Sequence, residues 1–226
     1  MDKLIRLNKF LAERLGISRR EADDLIAEGK VFVDGKPAIL GERIDKSREV
    51  CYNKKNIPFL KEYTYLLFNK PVGYVSSRRK QGETPTLYEL LPEKYRELKT
   101  VGRLDKNSSG LILLTDDGDF AFRMTHPKFL KTKVYTVELD HALEPLHQQE
   151  IADFGIQLED GISKLGLTRL NDERTRFEVL MTEGRNRQIR RTFAALGYVV
   201  VKLHRKSFGK YQLGELKPGE FREIEV

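Results

Sequence analysis

Arg103 and Asp105 flank one leucine in GRLDKNSSGLILLTDDGD, residues 102–119, and the chain then passes through a small polar run into four apolar residues. A carboxylate at the mouth of what reads as a buried strand has three possible uses. It can serve its own turn, accepting backbone N–H groups from Asn107, Ser108, Ser109 and Gly110, the commonest fate of an aspartate near serine and glycine. It can open a calcium loop, since DKNSSGLILLTD matches the EF-hand pattern at Asp105, Asn107 and Gly110. That match is partial: Asp116 replaces the bidentate glutamate and neither flank reads as a long amphipathic helix. The third use is chemical, a reactive carboxylate at the start of the strand with Arg103 beside it.

Other chemistries find little support. The single cysteine, Cys51, rules out an internal disulfide and leaves no second thiol for a zinc or redox pair. The four histidines, His126, His141, His147 and His204, are scattered and lack metal-ligand spacing, so no metal is expected. Neither GxxxxGK[ST] nor a GxGxxG following a strand occurs, which disfavours nucleotide cofactors.

Charge points to a polyanion. Of 226 residues, 33% are charged and the formal net charge is +7. Between Glu183 and Lys210 the basic residues are Arg185, Arg187, Arg190, Arg191, Lys202, Arg205, Lys206 and Lys210, against Glu183 alone. Lys3, Arg6, Lys9, Arg14, Arg19 and Arg20 form a second cluster near the start. Two concentrated basic patches favour a nucleic-acid partner. No apolar run approaches the ~20 residues of a membrane-spanning helix. The opening residues lack the continuous apolar stretch of a signal peptide, so a cytoplasmic location is expected.

Local patterns supply the elements that must position these residues. Leu7, Phe10, Leu11 and Leu15 recur at helical spacing and stop at Gly16. Ser18 with Glu21 has the form of a capping box, after which Ala22, Leu25 and Ile26 continue an apolar stripe to Gly29. Val31 and Val33 then alternate ahead of an Asp34-Gly35 turn, a hairpin signal. Polar, aperiodic residues make 51–63 a linker between a domain of residues 1–50 and one of 64–226. Beyond it TYLLFNKP, GYVSS, LILLT, KVYTVEL and RFEVLMTEG read as short strands, with helices at 142–154 and in NRQIRRTFAALG. Strands outnumber helices without alternating with them, which predicts an α+β fold rather than a doubly wound one.

The series helix, turn, helix, hairpin in RLNKFLAERLGISRREADDLIAEGKVFVDGKPA resembles the S-four-like RNA-binding domain of ribosomal and RNA-modifying proteins. The resemblance implies that Arg19 and Arg20, in the first turn of the second helix, meet RNA phosphates. A DNA-binding helix-turn-helix competes, but the hairpin directly after the second helix fits the ribosomal module better.

VGRLDKNSSGLILLTDDGD, KVYTVEL and EGRNRQIRRTFAALGYVVVKLHR, in that order, resemble the three motifs of RNA pseudouridine synthases, within the branch that carries an S-four-like domain and acts on ribosomal RNA. With LLFNKPVGYVSS the resemblance spans nearly all of 64–226. It implies a mixed, mainly antiparallel sheet around a central cleft. It further implies Asp105 as the catalytic aspartate, Tyr135 packed on the target base and Arg190 paired with the aspartate. Arg103, Arg187 and Leu203 would contact the substrate. The reaction it implies is an isomerisation, which needs no redox cofactor and no nucleotide energy source. The expected partner is ribosomal RNA or an assembly intermediate, bound by a monomer, without metal or membrane. A non-enzymatic RNA-binding or ribosome-assembly factor is the alternative; a methyltransferase would need a glycine-rich cofactor loop that is not found.

Overall fold

In the computed structural model, which describes residues 4–59, 62–79 and 81–226, the chain divides into two units. The first runs up to Thr64 and includes Asp116–Gly118; the second comprises Tyr65–Thr115 and Asp119–Val226.

The first unit follows its local signals. Helix α1 (Leu7–Leu15) ends on Gly16, whose φ of 73° is the left-handed position that glycine occupies without strain. Helix α2 (Arg19–Ala27) starts with the capping box in place: the Glu21 N–H donates to Ser18 Oγ and the Ser18 N–H donates to the Glu21 carboxylate. Two orphan donors at the helix start are thereby satisfied. Strand β1 (Val31–Val33) turns through Asp34 and Gly35, both at positive φ, into a short strand Lys36–Pro37. Leu7, Phe10, Leu11, Ala22, Ile26, Val31 and Val33 share one core with Ile44 and Val50. Lys3 of the basic cluster lies outside the described residues.

The linker boundary expected at 51 falls inside this unit's sheet. Strand β2 (Val50–Tyr52) pairs antiparallel with β1, and after Asn53 and Lys54, both at positive φ, Lys55–Asn56 pairs back onto it. The stretch is polar because the strands are short and near an edge, so few of their side chains face the core. Polarity there marks a tight turn and the edge strand Lys55–Asn56.

The second unit is built on a nine-stranded sheet. Its strands are β3 (Tyr65–Lys70), β4 (Lys99–Val101), β5 (Ser109–Thr115), β6 (Lys133–Leu139), β7 (Gly166–Arg169), β8 (Arg176–Met181), β9 (Val200–Phe208) and β10 (Phe221–Glu223), with Tyr211–Gln212 paired back onto β9. The order is β7, β8, β6, β9, β5, β3, β10, with β4 alongside β5. All pairings are antiparallel except β9 with β5. The mixed, mainly antiparallel α+β architecture is as expected from the sequence. GYVSS, expected as a strand, contributes only one bridge, Val75 with Thr86.

The four apolar residues that follow Gly110 are explained by coverage of both faces. Leu111 and Leu113 join Leu67, Phe120, Met124 and Phe208 on one side. Ile112 and Leu114 join Phe68, Tyr135, Val137, Phe177 and Phe193 on the other. A strand buried on both faces loses the alternation of a half-solvated one. Helix α3 (Gly118–Thr125), not foreseen from the sequence, supplies Phe120 and Met124. Helix α4 (Pro145–Gln149) continues as a π-helical turn, Glu150–Phe154, and covers most of the helix expected at 142–154. Helix α5 (Gln188–Ala194) is shorter than its motif because Arg187 takes a left-handed conformation, φ 46°, just before it.

Where β5 meets β9 the backbones come very close. Gly110 has φ 103°, and a Cβ there would run into the main chain of Arg205. Glycine is required twice over, by dihedral angle and by space.

Candidate active site

Asp105 lies in the turn ahead of β5, and the turn is tied down through its main chain. The Asp105 carbonyl accepts from the Ser108 N–H at 3.0 Å, and the Lys106 carbonyl accepts from the Gly73 N–H at 2.8 Å. The Lys70 ammonium, at the end of β3 and fully buried, donates to the carbonyls of Pro71, Asp105 and Ser108 at 2.9, 3.1 and 2.7 Å. Arg190 Nη2 donates to the Asn107 carbonyl at 2.7 Å. Just upstream, Ser76 Oγ donates to the Leu104 carbonyl at 2.8 Å and accepts its N–H at 3.1 Å. From Leu104 to Ser108 every carbonyl is therefore held, and none of this uses the Asp105 carboxylate.

This separates the three readings of Asp105. The turn is closed by main chain and cations, so a turn-capping carboxylate is not needed. The calcium loop fails on geometry: Ser109–Thr115 is extended strand, which carries Asp116 about 20 Å beyond the turn at about 3.3 Å per residue. The carboxylate instead faces a cavity of about 430 Å³ whose lining includes Arg103, Asp105, Tyr135, Arg187 and Leu203. That volume lies within the range of small-molecule sites, roughly 300–1,000 Å³. Five of the sequence-expected site residues thus share one cavity, while Arg190 is not among the residues lining it, and Arg19 and Arg20 belong to the other unit.

The expected pairing of Arg190 with Asp105 is corrected. The ion pair to Asp105 comes from Arg187, with Nη1 3.6 Å from the carboxylate. The left-handed backbone of Arg187 sets its side chain into the cavity, whereas Arg190, one turn into α5, donates to the carbonyls of Val200 at 2.5 Å and Asn107 at 2.7 Å. Burial, and then the neighbouring Arg187, lower the pKa of Arg190, with Asp105 acting in the opposite sense. The side chains of Arg187 and Asp105 are 47% and 38% exposed, so the carboxylate is half in solvent rather than sealed off.

Two further cations line the cavity, the buried Arg205 and the partly buried Lys133. Arg205, 2% exposed, donates from Nε to the Leu111 carbonyl at 2.6 Å and from Nη1 to the Tyr135 hydroxyl at 3.4 Å. Tyr135 sits opposite Arg205 in the β6 to β9 register and is buried. Lys133, two residues earlier on β6, has its pKa lowered to about 8 by burial and then by Arg205. Lys70 is likewise lowered to about 8 by burial, with Asp105 resisting. In all, the lining carries Arg103, Lys133, Arg185, Arg187 and Arg205 against Asp105 and Glu183, a positive field suited to a polyanion. Among the described residues no helix is long and apolar enough to cross a membrane.

Comparison with known proteins settles the family. The family model for RNA pseudouridylate synthase matches residues 64–195, and the S4 domain model matches residues 5–50. The chain belongs to the RNA pseudouridylate synthase family. It is 36% identical to the ribosomal small subunit pseudouridine synthase A of Pasteurella multocida, over 97% of this chain and 96% of that protein. It is 34% identical to the ribosomal large subunit pseudouridine synthase B of Bacillus subtilis, over 97% of this chain and 91% of the relative. A crystal structure of a pseudouridylate synthase aligns with a TM-score of 0.69 at 32% identity, covering 98% of this chain and 96% of the other. Within this family member, the residues that sequence reasoning passed over are Lys70, Lys133 and Arg205. Each partners main-chain carbonyls from remote segments, which leave no spacing to read. The only available signal was a lysine or arginine embedded in an apolar, strand-like run.

Proposed function

We propose that this synthase isomerises uridine to pseudouridine at specific sites of ribosomal RNA, with Asp105 as the reacting carboxylate. The observation that carries the reading is the division of labour in the turn: main chain, the buried Lys70 and the half-buried Arg190 hold it, and the carboxylate is spared for the cavity. A uridine turned out of its stack enters this cavity, packs on Tyr135 and Leu203, and brings its ribose to Asp105. The bond from C1′ to N1 breaks, the uracil turns, C1′ bonds to C5, and the proton on C5 is replaced by one on N1, so atoms balance without a cofactor. The carboxylate serves either of two routes, attack on C1′ or removal of the C2′ proton to give a glycal. Arg187 supplies the charge partner, and Arg103 approaches the space left by the extruded base. Arg19 and Arg20, in the first turn of α2, grip RNA phosphates and set register. The protein acts as a monomer in the cytoplasm, where ribosomal RNA is assembled.

The test is pseudouridine mapping in ribosomal RNA from cells lacking the gene, complemented with wild type or Asp105→Asn. The amide keeps the shape of the side chain and loses the nucleophile or base, so RNA affinity should persist while one or a few pseudouridines stay missing. Full restoration of those positions by Asp105→Asn would overturn the assignment.

A further inference from the structure

Three rings gather on the surface where α3 ends and the short 3-10 helix Pro127–Phe129 begins. Phe122 and His126 have centroids 4.7 Å apart, and Phe122 and Phe129 lie 5.8 Å apart, nearly perpendicular at 88°. Phe122 is 44% and Phe129 36% exposed, and the following Leu130 is 67% exposed in a left-handed conformation. The Lys128 ammonium stands over both phenyl rings, 5.1 and 4.8 Å from their centroids. Single exposed apolar residues are ordinary, but a cluster is not. The core does not need these rings, because α3 packs inward through Phe120 and Met124.

Position and charge say what the cluster meets. Thr125 and Pro127, which lie between the two phenylalanines in sequence, line the same cavity as Asp105 and Tyr135. From Phe120 to Val137 the chain carries Arg123, Lys128, Lys131 and Lys133 and no carboxylate. Aromatic rings set among cations beside a nucleotide-sized cavity are the composition of a single-stranded nucleic-acid platform, on which bases stack while cations take phosphates.

We propose that Phe122, Phe129 and Lys128 form a stacking subsite for an unpaired RNA base flanking the target uridine. The inference rests on the functional reading above, that RNA is the substrate. Turning the uridine out of its stack strips its neighbour of a partner, and the platform supplies a replacement. Lys128 leaves the ring faces for the phosphate of that nucleotide. Binding here is tolerant of base identity, since every base has a π face.

The test uses the full-length protein and a ten-residue oligouridylate bearing one 5-iodouridine. Irradiation should crosslink the iodinated base to Phe122 or Phe129. The double variant Phe122→Ala/Phe129→Ala should bind the oligonucleotide on the order of ten-fold more weakly at an unchanged salt slope. Phe122→Leu/Phe129→Leu, which keeps apolar bulk and removes the rings, should weaken binding comparably. Lys128→Ala should lower the slope of log K against log salt by about 0.7. Leucine variants that bind like wild type would reduce the cluster to a nonspecific apolar patch and overturn the proposal. Wild-type affinity in both double variants, without a crosslink at either ring, would overturn it too and leave a protein partner as the occupant. Pseudouridine formation by wild type separates the two readings: if it persists while these binding effects are absent, only the subsite fails.

Discussion

Replacing Lys70 by methionine isolates the main-chain clamp from the chemistry, because the ammonium touches carbonyls and not the Asp105 carboxylate. The Asp105 carbonyl keeps its bond from the Ser108 N–H, so the carbonyls that lose their buried lysine donor without that relief are those of Pro71 and Ser108. An unsatisfied buried acceptor costs about 1–3 kcal/mol, giving about 2–6 kcal/mol for the pair. Against this, methionine relieves the burial of a charge, and a net loss of about 3 kcal/mol follows. For a chain of this size 1 kcal/mol moves Tm by about 2–4 °C, so the midpoint should fall by about 9 °C. A displacement of Asp105 by about 1 Å costs on the order of 100-fold in rate, to be read by single-turnover pseudouridine formation below the new midpoint. The pH dependence carries a sign. The Lys70 pKa is lowered from 10.5 to about 8, so between these values the unfolded chain binds more protons than the folded one. Its titration therefore contributes stability that is full above 10.5 and lost as pH falls through about 8. Wild type should gain on Lys70→Met as pH rises across that window, measured by urea unfolding. A variant with wild-type midpoint and rate would refute the clamp, and a stability gap that narrows with rising pH would refute the burial of a strained cation.

Four further variants probe the rest of the protein. Arg187→Ala should slow the reaction by at least about ten-fold with little change in melting temperature, since a half-exposed ion pair is worth at most about 1 kcal/mol; Arg190→Ala should lower rate and midpoint together, and an Arg190 variant normal in both would show that the Asn107 carbonyl needs no donor. Gly110→Ala should cost about 3–5 kcal/mol from positive φ and collision with the Arg205 backbone; an unchanged urea midpoint would mean that β5 and β9 separate freely. Arg19→Ala/Arg20→Ala should lower the salt slope of RNA binding by about 1.4–1.8 if both meet phosphates, leaving the single-turnover rate at saturating RNA unchanged; an unaltered slope would remove them from the RNA contact.

The sequence was legible where structure is local. The capping box of Ser18 and Glu21, the left-handed Gly16 and the Asp34-Gly35 hairpin each depend on residues within a few positions, and all are present. The candidate site was legible as a position, since Asp105, Tyr135 and Leu203 do converge on one cavity. What could not be read was which arginine reaches the carboxylate. Arg187 and Arg190 differ by one helical turn, and the choice was made by a left-handed residue outside the helix, which periodicity cannot signal. The stretch from Cys51 to Asn56 pairs into the first unit's sheet, although its turn and its edge strand Lys55–Asn56 are as polar as a linker. Lys70 and Arg205 remained silent because their partners are carbonyls, which every residue carries.

That same indifference to side chains has a consequence for what the turn can carry. The clamp grips positions 105–108 by atoms common to all amino acids, so the exposed side chains of Lys106 and Asn107 can be exchanged without moving the carboxylate. The side chain offered to the cavity and those offered to solvent thereby belong to different members of the same four residues. On the function proposed above, the outward groups of the turn could be exchanged while the position of the carboxylate stays fixed.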